Sequence, residues 1–413
     1  MPAIKLNQAY RILLYVIFAA MYNLDGVFVF SKLSWSVFLV FSGLFLCFIN
    51  SLNTGFCITK KAQVFLVLYL FCILFIATQE LYFAIVLKQD ASFGSIISLI
   101  PALLIIVLST KVDRKYYNNL IYFFCYGIQI HVFYGAFQYF MALNGTIIGN
   151  TIALPGLIRV SGLYHDSNIF GYSVIMAVGV GIYGLLYSKN IYYKAIFMFI
   201  LFIDLFVAVG TGSRTTILCS YILMPLTVVI LIIKPYQKLV IFVGLFFVTF
   251  LLYPIVMPML ENIFNLIGRG GKLSNDIRIS YLWKTAMLLL QKNFFLGNGY
   301  DYMIKATGYG THNMFLTVLL DRGILGFVVY FLPFAYGLIA EKTRNHSCDI
   351  ANILIIGYLY GGLGISNWIL RVPMVLLFLV LNLKGNVKQS ITPHSRQSFR
   401  NASSCIDSLQ SWK

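Results

Sequence analysis

Residues Glu261–His312 read ENIFNLIGRGGKLSNDIRISYLWKTAMLLLQKNFFLGNGYDYMIKATGYGTH, and this is the one long interior stretch that water, not lipid, would accept. It carries Arg269, Lys272, Arg278, Lys284, Lys292 and Lys305, glycine clusters at Gly268-Gly270-Gly271 and Gly297-Gly299, and it runs into a His312-Asn313 pair. Connections in compact domains usually span about 4–6 residues, and much longer ones tend to carry function. Outward from it in both directions the chain turns apolar, so the stretch reads as a large hydrophilic loop, residues 260–312, set in a membrane protein.

The composition agrees. The chain has 413 residues, 60% of them hydrophobic and only 10% charged, and a mean hydropathy of +0.85. Soluble domains run near about 45–50% apolar and about 25% charged. Runs long enough to span a hydrocarbon core of about 30 Å fall near residues 11–30, 33–49, 62–79, 92–109, 117–142, 168–187, 195–210, 214–233, 238–259, 313–340, 350–366 and 368–383. The expected fold is an all-α polytopic membrane protein with about 12 transmembrane helices, residues 1–384 forming a single integral membrane domain. The first run has the length of a span and no small-x-small cleavage site, so it is expected to stay as the first helix. Residues 385–413, rich in Ser, Gln and Arg and without apolar periodicity, read as a disordered cytoplasmic tail.

The formal charge of +17 does not indicate nucleic acid, because the cations sit in short clusters between apolar runs, the pattern of cytoplasmic anchoring to a lipid bilayer. With the amino terminus inside, Lys60-Lys61, Lys111, Arg114 and Lys115, Lys189 and Lys194, Lys234 and Lys238, Lys342 and Arg344 and the cations of the tail share the inner side. The short outer loops hold Lys32, Lys88, Arg159, Arg214 and Arg371. Both termini are then cytoplasmic and the long loop is outside. Cys47, Cys72, Cys125 and Cys219 lie in apolar runs, while Cys57, Cys348 and Cys405 fall in segments read as cytosolic. Neither a disulfide framework nor a zinc site is expected from them.

An arginine on the outer side opposes the orientation bias and needs a reason to be there. Arg159 precedes Ser-Gly-Leu-Tyr-His165-Asp166-Ser-Asn168, a polar, turn-rich entry into a helix, and Arg214 closes Gly210-Thr-Gly212-Ser213, a hairpin tight enough to require glycine. Arg278 opens an amphipathic segment. Asn275 or Asp276 can cap a helix running to Lys292, with Arg278, Thr285 and Lys292 on one stripe and Tyr281, Leu282, Trp283, Leu288 and Leu289 as apolar cover at the outer interface.

Guanidinium is permanently charged and grips phosphate oxygens bidentately, and imidazole takes a proton near neutral pH, so outer arginines with His312 suit a reaction on a lipid pyrophosphate. Each arginine also fits a plainer role as an anchor snorkelling to lipid phosphates, and His312 beside Asn313 fits a helix end without chemistry. Gly268-Arg269-Gly270-Gly271-Lys272 reads either as a nest of N–H groups around a phosphate or as a flexible turn. Asp204 and His131 are ionisable residues within apolar runs, functional suspects or structural hydrogen-bond partners. Asp25 reads as a helix-end residue or a metal ligand. No outer carboxylate cluster is apparent, so neither a metal nor another cofactor is expected.

The succession Arg159-Val-Ser-Gly-Leu-Tyr-His-Asp-Ser-Asn168-Ile-Phe-Gly171, Thr211-Gly-Ser-Arg214, Asn298-Gly299, His312-Asn313-Met-Phe-Leu316 and Gly323-Ile-Leu-Gly326 resembles the O-antigen polymerase and ligase superfamily. By motif the similarity covers Arg159–Gly326, and by architecture the whole chain. The resemblance implies a metal-independent, inverting glycosyltransferase at the periplasmic face of a bacterial inner membrane. Its donor would be an undecaprenyl-pyrophosphate-linked glycan, and it would work beside a flippase and a chain-length regulator. It implies catalytic roles for Arg214 and Arg278, which would engage the pyrophosphate, and for His312, which would activate the acceptor hydroxyl. Arg159, His165, Asn168, Arg269 and Asn313 are the substrate-binding candidates. The reading is a Wzy-type polymerase of repeat units in lipopolysaccharide, capsule or exopolysaccharide biosynthesis. Its competitors are an O-antigen ligase with lipid A-core as acceptor, a protein-glycosylating relative, and, from a different class, a flippase or secondary transporter, which more usually shows repeat symmetry.

Overall fold

The computed structural model describes residues 2–21, 28–30, 33–34, 40–42, 58–88, 94–154, 157–233, 243–244, 278–340, 345–364 and 371–383. Among these residues the chain is helical apart from two short antiparallel strand pairs, β1 (Phe28–Phe30) with β2 (Leu33–Ser34) and β3 (Ile152–Leu154) with β4 (Leu157–Arg159). The helices are α1 (Pro2–Ala20), α2 (Lys60–Ile85), α3 (Gly94–Thr110), α4 (Tyr117–Leu143), α5 (Ser167–Tyr187), α6 (Ile191–Gly210) and α7 (Arg214–Ile233, π-helical over Cys219–Leu223). They are followed by α8, which opens with a π-helical turn at Arg278–Trp283 and continues through Lys284–Lys292, then α9 (Tyr302–Thr307), α10 (Met314–Ala340), α11 (His346–Gly361) and α12 (Arg371–Leu383). Among the described residues six helices are long and apolar enough to cross a bilayer, namely α2, α4, α5, α6, α7 and α10, and shorter apolar helices accompany them. This is an all-α, multi-pass membrane architecture.

Side-chain caps set many of the helix starts. Thr59, Asp166, Asn190, Ser213 and Asn345 each accept a hydrogen bond from a first-turn N–H, which satisfies a donor that has no partner inside the helix. Within the bundle α5 and α11 run antiparallel and form the centre. Tyr172 packs on Tyr358 with ring centroids 4.7 Å apart, and at the other end the Tyr183 hydroxyl donates to Asp349 at 3.1 Å. Nearly every residue of α11 is buried, as expected of a helix that is apolar all round. Around this pair, α4 and α6 pack on α5, α10 lies along α2, and α12 fills the space between α2, α3, α10 and α11.

Several boundaries differ from the sequence reading. The first apolar run ends as a helix at Ala20, and Phe28–Phe30 pairs with Leu33–Ser34 as strand. The residues between, Asn23-Leu-Asp25-Gly26, are turn formers, and Val27-Phe-Val-Phe is β-favouring chemistry. Helix α11 begins at His346, four residues before the expected run at 350, and takes in the buried Cys348. Most of the runs 238–259 and 33–49, Asp25, Arg269 with its glycine nest, and the tail 385–413 lie outside the described residues.

The hydrophilic loop holds secondary structure of its own in the part that is described. Its described part, 278–312, holds α8 and α9, and α8 buries Leu282, Ala286 and Leu290 against Met303 and Leu320. Tyr281 and Leu288 are exposed on the opposite side.

Candidate functional site

The site residues stand on three turns. The first is the entry to α5. His131 Nε2 accepts the Leu163 N–H at 2.9 Å and His131 Nδ1 lies 3.1 Å from Ser173 Oγ, which makes it a neutral imidazole with its proton on Nδ1. One face further along α4, Gln138 brackets Gly162, accepting its N–H at 2.9 Å and donating to its carbonyl at 3.0 Å. His131 is therefore a structural clamp on the Ser161–Leu163 turn. Asp204 takes the Gln129 amide at 2.7 Å and ties α6 to α4. Past the clamp, His165 is exposed, while Asn168 is half-buried with its Oδ1 lacking a hydrogen-bond partner among the described residues.

The second turn joins α6 to α7 and presents Arg214. Thr211 Oγ1 donates to the Ala208 carbonyl at 2.8 Å and accepts the Ser213 N–H at 3.1 Å, and Ser213 caps α7. Strand β4 is stitched to this turn. The Val160 N–H donates to the Gly210 carbonyl at 2.9 Å, and Arg159 Nε to the Thr211 carbonyl at 3.4 Å. Arg159 and Arg214 are thus brought to one end of the bundle, and Arg159 spends a donor on holding the turn.

The third turn is Thr311-His312-Asn313, ahead of α10. His312 has φ 52, a left-handed conformation that histidine adopts more readily than most side chains. The hydroxyls of Thr311 and Thr317 lie 2.6 Å apart, each 2.8 Å from the Asn313 carbonyl, and Asn313 Oδ1 accepts the Leu316 N–H at 3.0 Å. Asn313 accordingly caps the helix by its side-chain oxygen. Trp283 of α8 reaches this turn, its indole N–H donating to the Thr311 carbonyl at 3.0 Å.

The end of α11 joins these turns. The Met314 N–H donates to the Gly362 carbonyl at 2.7 Å, and two residues on, a Cβ on Gly364 would stand 2.6 Å from Thr215 Oγ1. A Cβ on Gly171 would in turn collide with the Thr216 hydroxyl. Glycine at these points lets the backbones of α5, α7 and the α11 end close up, so Arg214 and His312 flank the same short stretch, Gly362–Gly364. The described side chains begin after Arg278, whose backbone lies in the first turn of α8.

Residues 197–331 match the family model described as O-antigen ligase. The match supports the O-antigen polymerase and ligase superfamily. Arg214, Arg269, Arg278, His312 and Asn313 fall inside the matched segment; Arg159, His165 and Asn168 fall before it. No curated protein matches the chain.

A polar cluster beside the loop escaped the sequence reading. Helix α10 breaks at Gly323, whose φ of 65 and ψ of −175 are non-helical, and segment 293–302 fills the break. The Ile324 and Leu325 N–H groups donate to the Phe294 and Phe295 carbonyls at 2.9 and 3.2 Å, and the Asn298 and Gly299 N–H groups to the Leu320 and Asp321 carbonyls, both at 3.0 Å. The Asp321 carboxylate accepts the Asp301 and Tyr302 N–H groups at 3.0 and 3.2 Å. Arg322 pairs with Glu80 of α2, and Gln79 Nε2 donates to the Leu296 and Arg322 carbonyls at 3.1 and 3.0 Å. Glu80, Asp301 and Asp321 thus lie around Arg322, Glu80 as its ion-pair partner. Burial, then the negative charges of Asp301 and Asp321, push the Tyr300 hydroxyl up to about 12. The signal was present in the sequence, since Glu80, Asp321 and Arg322 are ionisable residues in or bordering apolar runs.

Proposed function

We propose that this chain is a polymerase of undecaprenyl-pyrophosphate-linked oligosaccharide repeat units, acting at the periplasmic face of the bacterial inner membrane. The observation that carries the reading is the convergence of the Arg214 turn and the His312 turn on Gly362–Gly364; Arg214 and His312 both fall in the segment 197–331 that the O-antigen ligase family model matches. In the proposed reaction His312 takes the proton of the acceptor sugar hydroxyl as its oxygen attacks the anomeric carbon of the donor. The bond from that carbon to the pyrophosphate oxygen breaks, with inversion, and Arg214 and Arg278 hold the departing negative charge. Asn168, with an acceptor atom lacking a hydrogen-bond partner among the described residues, and His165, exposed beside it, are assigned to the glycan.

Arg159 acts on the turn that presents Arg214. Asn313 sets the start of α10, so it supports His312 more than it binds substrate. Both termini are assigned to the cytoplasm, with about twelve spans in all. The runner-up is an O-antigen ligase, which displaces the same pyrophosphate but transfers to lipid A-core.

The deciding experiment is a deletion in a strain whose lipopolysaccharide bears a polymeric O-chain. Loss of a polymerase leaves core plus one repeat unit, restored to a ladder by the wild-type gene and not by His312→Ala. Bare core with polymer stranded on its carrier would identify a ligase, and an unchanged ladder would remove both readings.

A further inference from the structure

We propose that Trp283 is a positioning residue that locks the arginine-bearing helix α8 to the histidine turn; this rests on the functional reading above. Arg278 and Trp283 are the two ends of one π-helical turn, and a single π turn in an otherwise regular helix commonly marks a functional position. The Trp283 indole N–H donates to the Thr311 carbonyl at 3.0 Å. Thr311 is fully buried and immediately precedes His312, whose φ of 52 fixes where its side chain departs from the backbone. The Thr311 hydroxyl lies against Thr317 and Asn313, and its carbonyl faces the indole of α8.

Among the described residues the remaining side-chain packing of α8 is apolar, and Asn298 Nδ2 donates to the Leu289 carbonyl at 3.4 Å. Leu282, Ala286 and Leu290 pack on Met303 and Leu320, with Leu316 and Leu319 alongside. Apolar contact is non-directional and leaves a helix free to slide or rotate by small amounts, whereas a hydrogen bond from a rigid ring fixes one point. The far end of α8 has its own anchor, because segment 293–302 is docked into the break of α10. Two anchors define the placement of a short helix, and the one at Trp283 is the one next to both candidate catalytic positions.

The test replaces Trp283 with L-3-benzothienylalanine, which keeps the ring shape and puts sulfur where the N–H was, and with 5-fluorotryptophan, which keeps the N–H. The full chain is assayed in lipid with a lipid-pyrophosphate-linked donor, together with its melting temperature and amide exchange over residues 311–317. Losing the N–H should lower kcat about fivefold to tenfold, with donor KM held within about twofold, as removal of one hydrogen bond that matters to alignment and not to binding would do. Exchange should quicken, the melting temperature should hold, and 5-fluorotryptophan should behave as wild type. Unchanged kcat in the benzothienylalanine variant overturns the proposal whatever the exchange shows, and so does an equal loss in both variants. His312→Ala in the same assay separates the two readings. If it retains wild-type turnover, the catalytic reading falls, and the exchange data still report whether the indole bond orders the turn.

Discussion

Glu80 of α2 and Arg322 of α10 form an ion pair at 2.5 Å with both side chains almost completely withdrawn from solvent. The pair joins the helix that flanks the loop to the point where α10 breaks, and Gln79 beside it holds the carbonyls exposed by that break. A charge left alone in such a place cannot recover its hydration. Removing one partner of a buried pair typically costs about 3–5 kcal/mol, whereas replacing both with apolar residues of similar size is often close to neutral. Arg322→Met or Glu80→Leu alone should therefore lower the melting temperature in detergent sharply, and the double variant should recover much of it. Additive losses in the double variant would show that the two charges do not stabilise each other.

Gly297 and Gly323 have φ 77 and φ 65, and a Cβ on either would collide with the backbone nitrogen of the other. Gly308 has a similar φ of 78, but nothing lies within 4 Å of the corresponding Cβ. Alanine at Gly308 then meets only the left-handed strain, about 1–2 kcal/mol. At Gly297 or Gly323 it also forces segment 293–302 out of the α10 break. Thermal unfolding of the three alanine variants should rank Gly308 mildest by a clear margin, and equal losses would contradict the interlocked backbones.

Most of the helical framework was legible because apolar runs in a bilayer protein have one solution. The runs at 168–187 and 214–233 coincide with α5 and α7 to within a residue. The amphipathic segment after Arg278 was legible too. Arg322 shows what charge bookkeeping misses. Sorting cations by side of the membrane has no place for one inside an apolar run, and only the fold reveals Glu80 opposite it. The Arg214 stretch was readable as a hairpin and His312 as a helix end; their meeting at Gly362–Gly364 depends on helix packing and is not written locally.

Asp301 offers a pH-dependent check on the loop. Burial raises its carboxyl above the ordinary value, with Lys305 and Arg322 opposing, and its φ of 56 suits asparagine as well as aspartate. An acid whose folded pKa is raised penalises the fold when it is ionised. That penalty is present at neutral pH and disappears once the pH falls below the unfolded value, about 3.9. Asp301→Asn should raise the melting temperature at neutral pH, and the difference from wild type should shrink as the pH approaches about 4. A destabilised variant at neutral pH would mean that the attraction of Lys305 outweighs burial.

Separating the chemistry of His312 from its backbone calls for a particular choice of substitution. Because φ is 52, a β-branched residue would strain the turn, and its failure would say nothing about proton transfer. Asparagine tolerates the left-handed region and has no basic nitrogen. His312→Asn should keep the wild-type level in the membrane and the wild-type melting temperature while losing about 100- to 10,000-fold in turnover, the usual contribution of a general base. Arg278→Ala should abolish transfer with the same preserved level, and Arg278→Lys should restore part of it, since an ammonium supplies charge without the bidentate fork. The acceptor side gives the sharpest contrast. Loss of the base should leave donor binding intact, so His312→Asn should still bind a lipid pyrophosphate in a direct binding assay, whereas Arg278→Ala should not. Normal turnover in His312→Asn would leave that residue a place in the turn ahead of α10 without chemistry, and tight pyrophosphate binding by Arg278→Ala would return the arginine to an anchoring role at the bilayer surface.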